Sequence, residues 1–298
     1  MKKKVYFSII FPTNNRASDV DDTLKNLKKS TFKNFEVVIV DNNSSDQTYK
    51  IVKKYKFVKY IRNNYNAYVV GARNQAIKHA EGEIIFCIDD DSFPSIHSLK
   101  NAYEVFKNNK TVGIISCGIK NYNIYKKEIA KKIVNKKTKG SKETLTWSGC
   151  GGFIRKDLYK KYGPWDESGV HGFYESLTCL WALKDKKKIM HYDNIFVFHK
   201  VSKSGRGGEI RGNDLMRSDE FFANSFFILK YYGLSKLIKN MSDIFYVISC
   251  ATIEQKTYIY LKSYFKIIIN LNNILKERKV FSNTITDKIR LSFNFIGK

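Results

Sequence analysis

The chain has 298 residues, of which 43% are hydrophobic and 14% aromatic, enough for one large core and an appended smaller unit. Only 3 prolines and 17 glycines exclude a collagen-like chain and argue against disorder. The formal net charge of +25 is compatible with an anionic partner or with a solvated, lysine-rich surface.

The cysteines and the apolar segments indicate the compartment. The 5 cysteines show no CxxC spacing, which predicts buried thiols in a reducing environment rather than disulfides or a zinc site. The first apolar run, VYFSIIFP, is too short for a secretory signal, and no run reaches the roughly 20 apolar residues of a membrane span. We therefore expect a cytoplasmic protein, with the inner face of the membrane as a further, peripheral location.

Strand-like and helix-like segments alternate through the first 120 residues. The predicted strands are VYFSIIFP, FEVVIVD, a weak one around Lys59 to Arg62, EIIFCID and TVGIISCGI. The predicted helices are Asp19 to Lys29, a polar segment from Ser45, VVGARNQAIKHA and SIHSLKNAYEVFKN. This alternation predicts an α/β fold in which a mostly parallel sheet is flanked by helices.

The rest of the chain is less regular. We expect a loop or excursion at 121–142, a glycine-interrupted strand in TLTWSGCGGFIR, helices at 156–162 and 174–183, and a strand in IFVFH. From Phe221 onward, apolar residues keep helical spacing, with lysines nearby.

These patterns predict two parts of the chain. Residues 1–220 would form the main domain, with halves at 1–120 and 121–220, and residues 221–298 would form a helical C-terminal extension. Two interpretations of the extension stay open, because its helices could pack on the main domain or lie as basic amphipathic helices on a membrane surface.

Polar and acidic residues follow the predicted strands at the points where these strands end. TNNR (13–16) follows the first strand, DNN (41–43) the second and DDD (89–91) the fourth. Ligands of such sheets bind beyond the carboxyl ends of the strands. The carboxylates suggest a divalent cation, and Arg73 on the preceding helix adds a positive charge, so the edge suits a diphosphate.

The sequence lacks other phosphate-binding motifs. The turn PTNNR contains no glycine, which excludes the dinucleotide-binding G-x-G-x-x-G there, and no Walker loop occurs. A receiver or phosphatase fold would end its first strand with aspartate, where this chain has Thr13. PTNNR also argues against the glycine-rich basic loop of a nucleotidyltransferase. We expect metal and side chains to hold the phosphates, with Thr13 and Asp41 able to hold a base.

Five segments in order resemble the family 2 glycosyltransferases, which have the GT-A fold. They are SIIFPTNNR, VIVDNNSSDQT, GARNQAIKHAEGEIIFCIDDDS, GGFIRKDLYKKYGPWDES and, more weakly, HGFYESLTCLWAL. The resemblance implies transfer of a sugar from a nucleotide-sugar donor, which we expect to be a UDP-sugar, to a hydroxyl acceptor. It also implies inversion at the anomeric carbon and use of Mn²⁺ or Mg²⁺.

The resemblance implies roles for individual residues. The expected nucleotide-sugar-binding residues are Pro12, Thr13, Asn15, Arg16, Asp41, Arg73, Asp89, Asp90, Gly151, Gly152 and Arg206. The expected metal ligands are Asp91, Asp89 and His199. Arg206 would lie in a loop that closes over the diphosphate. Gly151 and Gly152 would either form a bulge or keep the backbone close to the sugar.

The family's late acidic pair falls on Tyr174 and Glu175, so Glu175 is the candidate general base. Asp166 and Glu167 are the fallback bases. One displacement with a general base inverts the centre and needs no nucleophile from the enzyme. Because only one acid of the pair remains, a non-catalytic protein that binds nucleotide sugars or tethers an assembly to a membrane is the alternative.

The acceptor is expected to be a glycan, a lipid-linked molecule or a protein, in cell-surface glycan biosynthesis. The basic surface and the tail favour an anionic or lipid-linked acceptor at the membrane. Nucleic acid is not expected as a partner, because no motif beyond charge supports it.

Overall fold

The computed structural model describes residues 4–122, 140–167, 173–200, 225–233, 242, 259–286 and 288. The chain divides into two compact units, Met1–Trp165 with Trp181–Val201 and Asp166–Leu180 with Ser202–Lys298. The domain boundary expected after residue 220 and the division at residue 120 stay predictions.

Within the described residues, nine strands form one sheet. They are Phe7–Thr13 (β1), Phe35–Asp41 (β2), Val58–Arg62 (β3), Ile84–Ile88 (β4), Ser92–Pro94 (β5), Val112–Tyr122 (β6), Ser141–Glu143 (β7), Gly151–Arg155 (β8) and Lys188–Lys200 (β9). Their order across the sheet is β3-β2-β1-β4-β8-β6-β9-β5, and β7 pairs with β9.

Helices connect and follow these strands. They are Ala17–Lys28 (α1), Thr48–Val52 (α2), Tyr68–His79 (α3), Ser98–Asn108 (α4), Lys156–Tyr162 (α5), Tyr174–Lys184 (α6), Ile259–Lys276 (α7) and Asn283–Thr286 (α8). Residues 225–231 are also helical. None of the helices in the described segments combines the length and the hydrophobicity needed to cross a membrane.

The first four strands confirm the predicted α/β arrangement. β1 pairs in parallel with β2 on one side and with β4 on the other, and β2 pairs in parallel with β3. In this register Thr13 lies beside Asp41, and Asp41 lies beside Arg62. The carboxyl ends of these strands therefore meet at one edge, as the sequence predicts.

Beyond β4 the sheet is mixed. β8 is antiparallel to both β4 and β6, and β9 is parallel to β6 but antiparallel to β5. The short strand β5 is absent from the predicted elements, and β9 begins seven residues before the predicted IFVFH. Apolar runs indicate that strands exist, but they carry no information about which strands pair or in which direction.

Both faces of the central strands are buried. Phe7 and Ile9 of β1 share one core cluster with Leu24 of α1 and Phe106 of α4. Ile10, which points to the opposite face because side chains alternate along a strand, is also fully buried. Two covered faces explain why the predicted strands are continuous apolar runs rather than alternating ones.

Helix α1 has apolar residues that pack in the core and acidic residues that do not. Val20, Leu24 and Leu27 recur at helical spacing and are fully buried. Asp19 lies in the first turn, where the helix dipole favours a negative charge, and Asp22 follows one turn later. The apolar stripe therefore anchors the helix, and its acidic residues remain available for contacts with the site.

Candidate active site

A cluster of two carboxylates and one imidazole lies where β4 and β9 end. Asp89, Asp91 and His199 each offer one ligand atom, and these atoms lie within 4.8 Å of one another. The β5–β9 pairing creates the cluster, because it places Ser92 opposite His199. Carboxylate oxygens suit Mg²⁺ and Mn²⁺, and an added imidazole nitrogen favours Mn²⁺. The donor set therefore fits the expected metal.

Arg16 lies against this cluster. Its Nη2 is 2.6 Å from Oδ2 of Asp91, and its Nε is 3.7 Å from Oδ1 of Asp90. Burial acts to lower the pKa of Arg16, but the neighbouring carboxylates outweigh that effect and raise it. The guanidinium therefore stays charged and offsets part of the repulsion among the carboxylates of the DDD run.

Asp91 contacts two nitrogen-bearing side chains, one on each carboxylate oxygen. His199 Nε2 is 3.2 Å from its Oδ1, while Arg16 contacts its other carboxylate oxygen. Burial acts to raise the pKa of Asp91, but the hydrogen bond and charge of His199, followed by Arg16, outweigh it and lower that pKa. Asp91 is thus held ionised, as a metal ligand must be.

Asp90 is not part of the group of candidate ligands, and its side chain contacts the end of β1. The Thr13 hydroxyl donates to its Oδ2 at 2.8 Å, and the Thr23 hydroxyl donates to its backbone carbonyl at 2.9 Å. Burial raises the pKa of Asp90 to about 7, with Arg16 opposing the shift and Asp91 adding to it. Thr13 and Asp90 therefore form a contact between β1 and the DDD run.

Arg73 lies behind the cluster with none of its surface exposed. Its Nη2 donates to Oδ1 of Asp89 at 2.7 Å and to the carbonyl oxygens of Ile88 and Gly149 at 3.1 and 3.0 Å. Helix α3 thus orients Asp89 and ties β4 to the turn before β8. Contact of Arg73 with the donor stays a prediction.

Asp41 ends β2 and is fully buried. Its Oδ1 accepts from the Ser44 N–H at 2.8 Å, and its Oδ2 accepts from the Tyr60 hydroxyl. Pro12 lies on the neighbouring strand, opposite Val40. The structure brings the expected base-binding residues to one edge, and it uses the Asp41 carboxylate to shape the loop after β2.

Asn15 connects the loops that follow β1 and β2. It adopts a left-handed backbone with φ 54°, which asparagine tolerates better than most residues. Its Oδ1 accepts from the backbone N–H groups of Ser45 and Asp46 at 2.7 and 3.3 Å. Asn15 therefore holds these loops together, and a direct donor contact of this residue stays a prediction.

Gly151 and Gly152 lie in β8, opposite Ile88 and Cys87 of β4. A Cβ on Gly152 would lie 2.1 Å from Cε3 of Trp147, and one on Gly151 would lie 2.8 Å from Cγ2 of Val197. Both glycines thus make room for neighbouring side chains. The predicted strand TLTWSGCGGFIR shortens to Gly151–Arg155, because the segment before it turns back so that Trp147 packs on Gly152.

The acids in the second unit differ in their contacts. Glu175 lies in the first turn of α6, where the helix dipole favours an ionised carboxylate. Asp166 is paired with the Lys230 ammonium, and its Oδ2 accepts from the Tyr231 hydroxyl at 3.1 Å. Asp166 is therefore part of an ion pair with Lys230, and the roles of Glu175 and Asp166 as candidate bases stay predictions. Glu167 is exposed.

Several residues that the sequence predicted lie outside the described part of the chain. Arg206 falls in 201–224, and most of the excursion at 121–142 falls in 123–139. The sequence also contains no indication that Lys200 pairs with Asp19 and Asp22 beside the cluster. The sequence shows only that an apolar strand ends in a lysine. It does not show which acidic residues that lysine meets.

The chain belongs to glycosyl transferase family 2, whose family profile matches residues 8–163. This range contains the DDD run, Arg73 and both glycines of β8, and the predicted resemblance is confirmed.

Curated relatives are glycosyltransferases of bacterial glycan synthesis. The poly(ribitol-phosphate) β-N-acetylglucosaminyltransferase TarS of Staphylococcus aureus is 39% identical over 102 residues, 32% of this chain and 18% of TarS. The GalNAc(5)-diNAcBac-PP-undecaprenol β-1,3-glucosyltransferase of Campylobacter jejuni is 25% identical over 199 residues, 65% of this chain and 64% of the relative. The chain spans less than two thirds of the length of each of these relatives.

Solved structures confirm the predicted GT-A fold. S. aureus TarS in complex with UDP superposes with a TM-score of 0.56 at 25% identity, covering 76% of this chain and 64% of that one. The mannosyltransferase PcManGT of Pyrobaculum calidifontis, in complex with GDP-Man and Mn²⁺, gives a TM-score of 0.57 at 20% identity, covering 75% and 63%.

Proposed function

We propose that the protein is an inverting, metal-dependent glycosyltransferase that moves a sugar from a UDP-sugar to a hydroxyl acceptor. The observation that carries this proposal is the cluster of Asp89, Asp91 and His199 at the carboxyl edge of the sheet, with Arg16 beside it. Membership of glycosyl transferase family 2 supports the reaction class.

The residues of the cluster divide into ligands and supports. Asp89, Asp91 and His199 would hold Mn²⁺ or Mg²⁺, and the bound ion would supply positive charge to the diphosphate of the leaving nucleotide. Arg73 orients Asp89 through a 2.7 Å hydrogen bond. Arg16, at the partly exposed rim, adds a permanent positive charge where negative charge develops on the leaving group.

Glu175 is the proposed general base. The acceptor hydroxyl is a poor nucleophile at neutral pH, so removal of its proton during attack contributes on the order of 10²–10⁴-fold to the rate. The hydroxyl attacks the anomeric carbon from the side opposite the leaving diphosphate. The bond to the diphosphate breaks as the new glycosidic bond forms, which inverts the centre in one step.

The donor and acceptor classes rest on the relatives. TarS has been solved with UDP-GlcNAc, and a relative of Escherichia coli is named as a UDP-Glc:α-D-GlcNAc-diphosphoundecaprenol β-1,3-glucosyltransferase. These names support a UDP-hexose or UDP-N-acetylhexosamine donor. They also support a glycan acceptor in cell-surface glycan synthesis, with a lipid-linked acceptor at the inner membrane face as the specific proposal.

Helix α7 supports peripheral membrane contact. Its exposed apolar side chains are Phe265, Ile268, Ile269, Leu271 and Leu275. Such a surface, on a chain with a net charge of +25, suits an anionic lipid bilayer, where apolar burial and electrostatic attraction add.

A donor assay tests the reaction. Purified protein would be incubated with UDP-GlcNAc, UDP-Glc and GDP-Man, with Mn²⁺, Mg²⁺ or EDTA, and release of the nucleoside diphosphate would be measured. We expect a UDP-sugar to turn over with Mn²⁺ and turnover to stop in EDTA. Glu175→Gln should keep donor affinity and lose transfer by roughly 10²–10⁴-fold. Donor binding without turnover across an acceptor panel would instead favour a non-catalytic nucleotide-sugar-binding protein.

Vesicle flotation tests the membrane contact. We expect the protein to float with vesicles that contain phosphatidylglycerol and to remain at the bottom with neutral phosphatidylcholine vesicles. Ile269→Asp should weaken flotation, whereas Lys288→Asp, a charge change outside this helix, should weaken it less. Equal flotation with anionic and with neutral vesicles would contradict the electrostatic contribution to membrane binding. If the lipid-free protein forms dimers that Ile269→Asp disrupts, the apolar face of α7 binds a second copy of the chain instead.

A further inference from the structure

Lys200, the last residue of β9, is a buried cation beside the cluster of Asp89, Asp91 and His199. Only 3% of its surface is exposed. Its ammonium lies 2.7 Å from Oδ2 of Asp22 and 3.3 Å from Oδ1 of Asp19, both on α1. A buried ammonium is costly unless it is paired, and two carboxylates three residues apart lie on one face of a helix. Helix α1 therefore supplies the counter-charges that allow Lys200 to be buried.

One of these acids, Asp19, also connects Lys200 to Asp91 through Arg16. Oδ2 of Asp19 is 3.0 Å from Nε of Arg16, which itself contacts Oδ2 of Asp91. The backbone N–H of Lys200 donates to the carbonyl of Asp91 at 2.9 Å. His199, the neighbour of Lys200, contacts the remaining carboxylate oxygen at 3.2 Å. The three oxygens of Asp91 are thus contacted by Arg16, by His199 and by Lys200 itself.

We propose that Lys200 is a positioning residue of the metal centre, acting with Asp19 and Asp22 as a unit that we call the α1 brace. The inference rests on the proposed metal site. Strand β9 ends between β5 and β6, where His199 lies opposite Ser92 on one side and Asn121 on the other, so these ladders hold its backbone and the α1 brace adds a side-chain contact to helix α1. The α1 brace fixes the end of β9 to helix α1, which keeps the His199 imidazole within ligand distance of Asp91 before any metal binds.

A brace and a plain stabilising ion pair predict different results. An ion pair that only stabilises the fold would lower the melting temperature and leave the metal affinity of the folded protein unchanged. A brace that positions a ligand changes the metal affinity even in protein that is fully folded, because supporting contacts of metal ligands typically affect affinity by about 10–100-fold.

The test compares Lys200→Met with the wild type and with Lys200→Arg. Mn²⁺ affinity would be measured by electron paramagnetic resonance well below the melting temperature of each variant. We expect Lys200→Met to bind Mn²⁺ about 10–100-fold more weakly, and Lys200→Arg to recover most of that loss. The control is Lys188→Met at the other end of β9, where an exposed lysine lies 3.7 Å from Glu143. We expect this control to bind Mn²⁺ like the wild type.

Amide hydrogen exchange in metal-free protein gives a second measurement. Without the ammonium, amides of residues 91–94 and 196–200 should exchange faster, whereas those of β1 should not. If Lys200→Met does not fold, Asp22→Asn removes one of the two carboxylates and is expected to give the same two changes at smaller size.

Wild-type Mn²⁺ affinity and wild-type exchange in folded Lys200→Met would overturn the brace. Wild-type protein that binds Mn²⁺ but transfers no sugar would contradict the proposed function alone, and weaker Mn²⁺ binding by Lys200→Met would still support the brace. Wild-type protein that binds no Mn²⁺ would overturn both the metal site and the brace.

Discussion

Two acidic regions lie at the carboxyl edge of the same sheet, and they are balanced differently. Asp41, at the end of β2, is fully buried, and its oxygens accept from a backbone N–H and a phenol. Asp91, after β4, is partly exposed, and its carboxylate contacts the cation of Arg16 and the imidazole of His199. Groups of the chain itself contact both oxygens of the first acid, whose role in binding a base stays a prediction, and the second acid belongs to a cluster of charges.

This difference separates the residues that shape this edge of the sheet from those that offer metal ligands. Hydrogen bonds to Asp41 set the loop geometry at the expected base-binding position and involve no partner outside the chain. The DDD run is different, because its carboxylates repel one another and the guanidinium groups of Arg16 and Arg73 offset that repulsion. A divalent metal that enters such a cluster adds to a balance of charges that already exists, so the ligands need not be rebuilt.

Among the changes that test this comparison, the largest expected effect is the loss of transfer in Asp91→Asn. This change removes one negative charge from the cluster while keeping the size of the side chain. We expect Mn²⁺-dependent transfer to fall by roughly 10²–10³-fold, the size of effect seen when one electrostatic contact at a reacting centre is lost. Initial rates of nucleoside diphosphate release at saturating donor would measure it.

The matched control is Glu104→Gln, an equal charge change on the exposed surface of α4. It should leave the rate within about twofold, since exposed charges at a distance are screened. Equal rates for the wild type and Asp91→Asn would remove the cluster from the mechanism.

The next largest effect is expected for Asp41→Ala. Unlike Asp91→Asn, this change should lower the stability of the protein. The change leaves the Ser44 N–H and the Tyr60 hydroxyl without their acceptor in a buried place, and each unsatisfied group costs about 1–3 kcal/mol. We expect the free energy of unfolding to fall by about 3 kcal/mol, measured by urea denaturation, with Mn²⁺ affinity unchanged.

Tyr60→Phe separates the two contacts of Asp41, because it removes only the phenol donor. Its expected loss of stability is about 1 kcal/mol. If Asp41→Ala weakened Mn²⁺ binding as strongly as Asp91→Asn, the two acidic regions would act as one site and the comparison would fail.

The smallest expected effect is a gain of stability in Tyr68→Gly. Tyr68 begins α3 with φ 53°, a left-handed backbone that costs a residue with a Cβ roughly 1–2 kcal/mol, and 56% of its surface is exposed. Glycine relieves this strain but loses more conformational entropy on folding than tyrosine does. The free energy of unfolding should therefore rise by about 0.5–1 kcal/mol in the same urea assay.

Tyr65→Gly is the control for that change. Tyr65 is similarly exposed and has no left-handed backbone, so glycine there should slightly destabilise the protein. A destabilised Tyr68→Gly would show that contacts of the Tyr68 ring outweigh the backbone strain.

The predictable features are those that depend on local patterns. The apolar run FEVVIVD predicts β2 with its observed bounds, and the helix predicted at 156–162 has the bounds of α5. The spacing of Val20, Leu24 and Leu27 predicts α1 to within two residues at its start. β5 was missed because three residues carry no periodicity, and the polar segment from Ser45 becomes helical only at Thr48, where Asp46 accepts from the Thr48 N–H at 2.9 Å.

The sequence by itself determined the class of fold, the acidic edge and the residue types of a metal site. Buried strands and helices require apolar periods, and the DDD run follows directly after one such strand. Tertiary structure alone decided which distant residues contact Asp91. Arg16, His199 and Lys200 are 75, 108 and 109 residues from Asp91 along the chain, and only the β5–β9 pairing and the placement of α1 bring them together. No local pattern specifies such pairings, because they depend on the packing of the whole sheet.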